Sequence, residues 1–162
     1  AAWGISDLLK KLYVPRAAAA LPGGAVIACL VFAAAIQTTY WQNSKTLFAH
    51  ALAVTQNNPV AHFNYGSAII KEGQIDQAIS HYAKALELKP DSAEIHNNMG
   101  TAQARKGRLD KAIDHLEKAV SLAPAYAEAH FNLAKAYRMT RQKQRAVRHY
   151  QKAMELNPDL IQ

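Results

Sequence analysis

The sequence is poor in the residues that carry covalent and metal chemistry. It has a single cysteine, Cys29, among 162 residues. That excludes an intrachain disulfide and a cysteine-based zinc site, and leaves the redox compartment open. No phosphate-cradling glycine loop, nucleophile elbow or paired-carboxylate motif occurs, so neither catalysis nor a cofactor is expected of this chain. The chain opens on Ala1 rather than methionine and reads as a fragment or processed product. Charge is missing in two places. No charged residue stands between Ala17 and Ser44. From Lys135 to Lys152 there are seven basic residues and no acidic one, in a chain of net charge +7.

The uncharged stretch has a membrane length. Ala17 to Ile36 gives 20 mostly apolar residues, and about 20 are needed to cross a bilayer. Lys10, Lys11 and Arg16 precede it, and Tyr40 and Trp41 follow as interfacial aromatics would. Leu21, Val26, Ile27, Leu30, Val31, Phe32 and Ile36 contribute about −2 to −4 kcal/mol of insertion energy, from which Pro22, Gly23 and Gly24 detract. The many small residues suit packing against other membrane helices. The expected layout is a juxtamembrane segment over 1–16 and a transmembrane helix over 17–40. The basic flank puts the N-terminal side in the cytoplasm of a bacterial inner membrane and the rest outside it. Three other readings fit the same stretch. A buried helix of a soluble domain is one. A cleaved signal peptide with Ala33-Ala34-Ala35 at its small-residue site is another, although its basic region starts well inside the chain. The third is a lipoprotein box at Val26-Ile27-Ala28-Cys29, against which stands the apolar run that continues past Cys29.

What the remainder does have is an echo. Gly66, Gly100 and Ala134 are spaced by 34, as are Ala78, Ala112 and Ala146, and Pro90, Pro124 and Pro158. That period indicates stacked helical hairpins rather than a globular enzyme fold. Repeats are expected over Pro59–Ser92, Ala93–Tyr126 and Ala127–Leu160, each with two helices. Gly73 and Gly107 fall at the turns, where a left-handed residue ends the first helix. The prolines end the second helix by disfavouring helical geometry in the residue before them. Alanines such as Ala85, Ala119 and Ala153 let paired helices approach, and Ile79, Tyr82 and Leu86 fill the spaces at helical periodicity.

The segments AHFNYGSAIIKEGQIDQAISHYAKALELKP, EIHNNMGTAQARKGRLDKAIDHLEKAVSLAP and EAHFNLAKAYRMTRQKQRAVRHYQKAMELNP resemble the tetratricopeptide repeat (TPR) family. The third copy departs from its pattern: Ala134 stands for the first glycine and Arg141 for the turn glycine. A left-handed Arg141 would cost about 1 kcal/mol. Phe48 and Ala51 lie 34 before Tyr82 and Ala85, so 41–58 reads as a half repeat stacked directly on the apolar helix. The resemblance implies an all-α solenoid over 59–162, three repeats plus the half repeat, preceded by the transmembrane helix. The run WGISDLLKKLYVPR, the apolar stretch and YWQNSKTLFAHALAVTQNNPVAHFNYG are similar to the C-terminal part of bacterial multi-spanning glycosyltransferase-like proteins with TPR tails. Transmembrane-and-TPR protein O-mannosyltransferases share that layout. The catalytic part implied by this likeness is absent from the chain.

Asn64, Asn98 and Asn132 share one repeat position on the first helix. In TPR-bearing O-GlcNAc transferases a similar asparagine ladder holds an extended peptide backbone. An amide both donates and accepts, so it matches a peptide group whatever the sequence; a merely solvated array is the plainer reading. Neighbouring groove positions are Phe63, Asn97 and Phe131, then Ser67, Thr101 and Lys135, then Lys71, Arg105 and Met139. The carboxylate clamp of chaperone-binding TPRs is not matched, because Phe63 and Ser67 stand where its first lysine and asparagine fall. Six histidines form two ladders, His62, His96, His130 and His81, His115, His149. Helical layers are about 8–10 Å apart, too far for successive rungs to share a metal at about 2 Å, so no metal is expected. The basic third repeat has the charge to bind nucleic acid or anionic lipid headgroups, but it reads as a solvated face, since no aromatic platform is interleaved with its charges. Two functions remain. One is a membrane-tethered interaction module that binds an extended polypeptide in its concave groove. The other is the substrate-recruiting tail of a membrane protein O-glycosyltransferase.

Overall fold

The structure, a computed structural model, describes residues 23–40, 43–55 and 57–161. Among these the secondary structure is entirely helical, with eight α-helices and two short 3₁₀ turns. The chain divides into two units, 1–42 and 43–162.

Of the first unit only α1, Gly23–Tyr40, is described. Its 18 residues extend about 27 Å at 1.5 Å per residue, and its unbroken apolar part, Ala25 to Ile36, has 12 residues. That part spans only about 18 Å, against a hydrocarbon core of about 30 Å. Gln37, Thr38 and Thr39 then turn the helix polar. No helix among the described residues is long and apolar enough to cross a membrane. The span expected over 17–40 is thus not found among the described residues. Residues 17–22 and the basic flank of 1–16 lie outside the described residues.

The second unit holds α2 (Ser44–Val54), α3 (Pro59–Ile69), α4 (Ile75–Leu88), α5 (Ala93–Arg105), α6 (Leu109–Leu122), α7 (Ala127–Met139) and α8 (Lys143–Leu156). Three first helices begin where the 34-residue register puts them, at Pro59, Ala93 and Ala127. Local chemistry sets the starts. The Asn43, Asn58 and Ser92 side chains accept from the backbone N–H of Thr46, Ala61 and Ile95, each satisfying an otherwise unpaired donor of the first turn. Pro59 occupies the first turn of α3, where its missing N–H costs nothing. The ends are set by the prolines. Lys89, Ala123 and Asn157, each directly before a proline, leave helical geometry at ψ 78°, 84° and 96°.

Each helix packs chiefly on its neighbours in the chain, as a solenoid does, and α5 also touches α7. Ile69, Ala78, Tyr82 and Ala85 of the first hairpin form one core with Ile95, Met99 and Ala102 of α5. Ile113 and Leu116 of α6 form a second with Leu133, Ala136, Tyr137 and Ala146. The close approach within a hairpin is set at Gly100: a Cβ there would lie 2.6 Å from Leu116 Cγ and 2.9 Å from the Ala112 carbonyl oxygen. The half repeat α2 packs on α3, and Lys45 pairs with Glu72 at 2.6 Å.

Candidate functional site

The first helices of the repeats carry the residues expected in the groove. Ser67, Lys71, Asn98, Thr101 and Arg105 line one cleft of about 550 Å³. Ile70 and Tyr82 form its apolar wall, and Glu128 of α7 closes it. Its floor is a polar relay. The Ser67 hydroxyl and the Tyr82 phenol are 3.2 Å apart, and the Asn98 amide donates to Ser67 Oγ at 3.5 Å. Burial raises the Tyr82 pKa, against the smaller pull of Ser67, so this phenol is neutral and free to donate. Thr101 donates to the Asn97 carbonyl at 3.0 Å. The cations Lys71 and Arg105 are exposed at the rim.

The asparagine ladder is not three equal rungs. Asn64 Nδ2 donates to its own helix at Val60 O, 3.0 Å. Asn98 reaches back to Ser67 of the first repeat, and Asn132 Nδ2 reaches back to Asn97 Oδ1 at 3.0 Å. Asn98 and Asn132 thus tie adjacent repeats, each through one of its two amide hydrogens. Asn97, expected as a groove residue, is 0% exposed. Its amide donates to Asn98, to the Tyr126 phenol and to Glu128. A carbonyl and an amide buried together are fully paired here, which is what such a position demands. Burial, with Glu128 and Glu94 nearby, pushes Tyr126 up to about 12. Phe63 sits with Asn64 at a smaller recess further toward the N-terminus. Phe131 and Lys135 sit at a separate recess on the third repeat, the Lys135 ammonium 5.4 Å from the Phe131 ring centroid. Eleven of the twelve expected groove residues therefore divide among three recesses and one buried junction, and the twelfth, Met139, is exposed.

The histidines hold a relation that the spacing of layers missed. Rungs do not meet along a ladder; the two ladders meet within each repeat. Nδ1 atoms lie 3.0 Å apart in His62–His81 and in His96–His115, and 2.9 Å apart in His130–His149. The signal was present as a 19-residue offset repeated three times, which joins the start of one helix to the middle of the next. His96 Nε2 and His130 Nε2 each lie 3.0 Å from a carbonyl oxygen, of Pro90 and Pro124. A carbonyl only accepts, so these nitrogens carry hydrogen. In the neutral pair, His115 and His149 must then donate from Nδ1. Burial holds His62, His81, His96, His115 and His149 below the usual imidazole range. Among the described residues no group of three or more metal-ligating side chains gathers.

Comparison with known proteins agrees with this geometry. The family described as "TPR repeat" matches residues 66–107, and "Tetratricopeptide repeat" matches residues 91–159. No curated protein matches the chain. Two crystal structures of MamA superpose with TM-scores of 0.66 and 0.62, at 26% and 24% identity over 70% and 68% of this chain. YrrB, described as "a TPR protein with an unusual peptide-binding site", superposes with a TM-score of 0.65 at 22% identity over 80% of this chain. The matched part spans 67%, 61% and 66% of those three chains. Identities of 24% and 22% establish fold only. None of these likenesses links the chain to a glycosyltransferase. With its helix pairs in 34-residue register and both family matches falling on them, the chain belongs to the tetratricopeptide-repeat proteins, a family of protein–protein interaction modules.

Proposed function

We propose that the chain binds an extended polypeptide along the first helices of its repeats. The observation that carries this reading is the cleft across α3, α5 and α7, where Ser67, Lys71, Asn98, Thr101 and Arg105 come together. Its wall of Ile70 and Tyr82 offers apolar contact, and its hydroxyls and amide offer donors and acceptors to a peptide group. The asparagines act unequally. Asn98 and Asn132 keep the repeats in register, and the carbonyl oxygens of Asn64 and Asn132 remain to accept a peptide N–H. The YrrB likeness adds a precedent of fold, since that protein is described as having a peptide-binding site.

The test is selection of a displayed random-peptide library on the immobilised chain, followed by affinity measurement for the selected peptides. Thr101→Arg places a long cationic side chain in the cleft without touching the repeat junctions. The expected result is a loss of at least about tenfold in affinity, or about 1.4 kcal/mol, with an unchanged circular dichroism spectrum. Peptides that bind the Thr101→Arg chain as tightly as the original would remove the cleft from the mechanism.

A further inference from the structure

Each repeat brings two imidazoles together across its hairpin. His62 of α3 meets His81 of α4, His96 of α5 meets His115 of α6, and His130 of α7 meets His149 of α8. Their Nδ1 atoms are 3.0, 3.0 and 2.9 Å apart. Two imidazole nitrogens bound to one metal ion at about 2.0–2.1 Å lie about 2.8–3.0 Å apart at a right angle, and about 3.3–3.4 Å apart at a tetrahedral one. The pairs already stand near that separation. Distance between helical layers bars a shared ion between repeats, but no such gap exists within one.

Orientation is the second observation. A metal-bound histidine almost always donates its other ring N–H to a carboxylate, carbonyl or water, which fixes the tautomer and aims the ligating nitrogen. His96 and His130 are held in this way by the Pro90 and Pro124 carbonyl oxygens, so each presents an unprotonated Nδ1 to its partner. The partner rings lack such a tether: among the described residues His115 and His149 are hydrogen-bonded only through Nδ1. Swinging the His115 Nδ1 by about 2 Å lets both nitrogens converge on one ion. The hydrogen of His115 then passes from Nδ1 to Nε2, so a neutral pair neither gains nor loses a proton.

The donors define the ion. Imidazole suits divalent copper, nickel and zinc, whereas magnesium and calcium take oxygen ligands. Local charge ranks the pairs. Besides burial, the largest influence on these rings, His96 feels Lys118 and Asp91, and His115 feels Asp114. His62 feels Lys84 and Glu87, which balance. His149 feels Arg148, Glu117 and Arg145, an excess of positive charge. A cation is therefore most favoured at the middle pair.

We propose that each histidine pair chelates a late first-row divalent metal ion that links the two helices of its repeat, and that His96–His115 binds it most tightly. None of the six histidines lines the cleft, so the proposal does not rest on the groove reading.

The probe is nickel chloride, added to the untagged, chelator-stripped full chain at neutral pH. Calorimetry should show saturable binding that magnesium chloride does not reproduce. Nickel should also raise Tm, since an ion held only by the folded hairpin stabilises it. His96→Gln and His115→Gln should each weaken the strongest binding step by at least about tenfold, because one imidazole cannot chelate alone. His50→Gln, outside the three pairs, should leave that step unchanged. Should a glutamine variant lose its helical circular dichroism, the imidazole ¹⁵N resonances of the unaltered chain decide instead: those of His96 and His115 should shift first as zinc chloride is added. An unchanged strongest step in either folded variant, its loss in His50→Gln, a Tm unmoved by saturating nickel, or other imidazoles shifting first would overturn the proposal.

Discussion

His96 and His115 share a single hydrogen between two Nδ1 atoms 3.0 Å apart. The Pro90 carbonyl fixes the arrangement by taking the Nε2–H of His96. One added proton can enter on His115 Nε2 without breaking the bond between the rings. A second would have to enter on His96 Nδ1, where the neighbouring hydrogen already sits, and would set two cations ring to ring.

The array is accordingly expected to lose stability with acid in the histidine window. Five imidazoles sit below their usual value of about 6.5 because burial penalises the charged form. Above that value both folded and unfolded chains leave them neutral, so their contribution is fully present. As pH falls through about 6.5 the unfolded chain takes up protons that the folded chain resists, and stability drops. Asp76 does not contribute in this window, since its bond to Lys106 holds its carboxyl below the usual carboxylate range. Urea midpoints measured at pH 7.5, 6 and 5 should fall steadily, and His115→Gln should flatten the slope. Equal midpoints across that range would mean that the pairs take protons freely in the folded chain.

Arg141 carries strain that glycine would relieve. Its φ is 63°, beside 82° for Gly73 and 71° for Gly107 at the equivalent turns. Space is not the constraint, because a Cβ at Gly73 or Gly107 would meet nothing within 4 Å. The left-handed backbone costs a side-chain-bearing residue about 1–2 kcal/mol, and the looser unfolded chain of a glycine variant returns about 0.4–1 kcal/mol of that. Arg141→Gly should therefore stabilise by about 0.5–1 kcal/mol and raise Tm by a few degrees. A lowered Tm would show that the turn is held by Arg141 contacts instead.

Gly100→Ala should do the opposite. The added methyl carbon would sit 2.6 Å from Leu116 Cγ, and behind it the Ala112 carbonyl oxygen at 2.9 Å cannot move without shifting α6. Overpacking of this kind costs about 1–3 kcal/mol. The cost should appear in the urea midpoint with an unchanged m-value. No change would mean that α5 and α6 are free to separate.

Much of this fold can be read from the sequence because its determinants are local and recur. Glycine, alanine and proline at 34-residue spacing fix the hairpin, its turn and its end. Even the exception, Arg141, announces itself by standing where Gly73 and Gly107 do. The interactions between repeats are harder to read. Asn64, Asn98 and Asn132 occupy one register position, yet each amide finds a different acceptor, because position 63 is phenylalanine and position 97 asparagine. The histidine pairs escaped a reading by layers because they form across a hairpin. For residues 17–40 the sequence counts 20 mostly apolar residues from Ala17 to Ile36, whereas the described helix starts at Gly23, and no helix among the described residues is long and apolar enough to cross a membrane.

The central claim is that a polypeptide lies along the inner face of the first helices. Backbone amide chemical shifts of the full chain, followed as a library-selected peptide is added, test it most directly. The account predicts that the largest perturbations fall on Ser67, Lys71, Asn98, Thr101 and Arg105, the residues that line the cleft. Perturbations confined to the second helices α4 and α6, with these five residues unmoved, would contradict it.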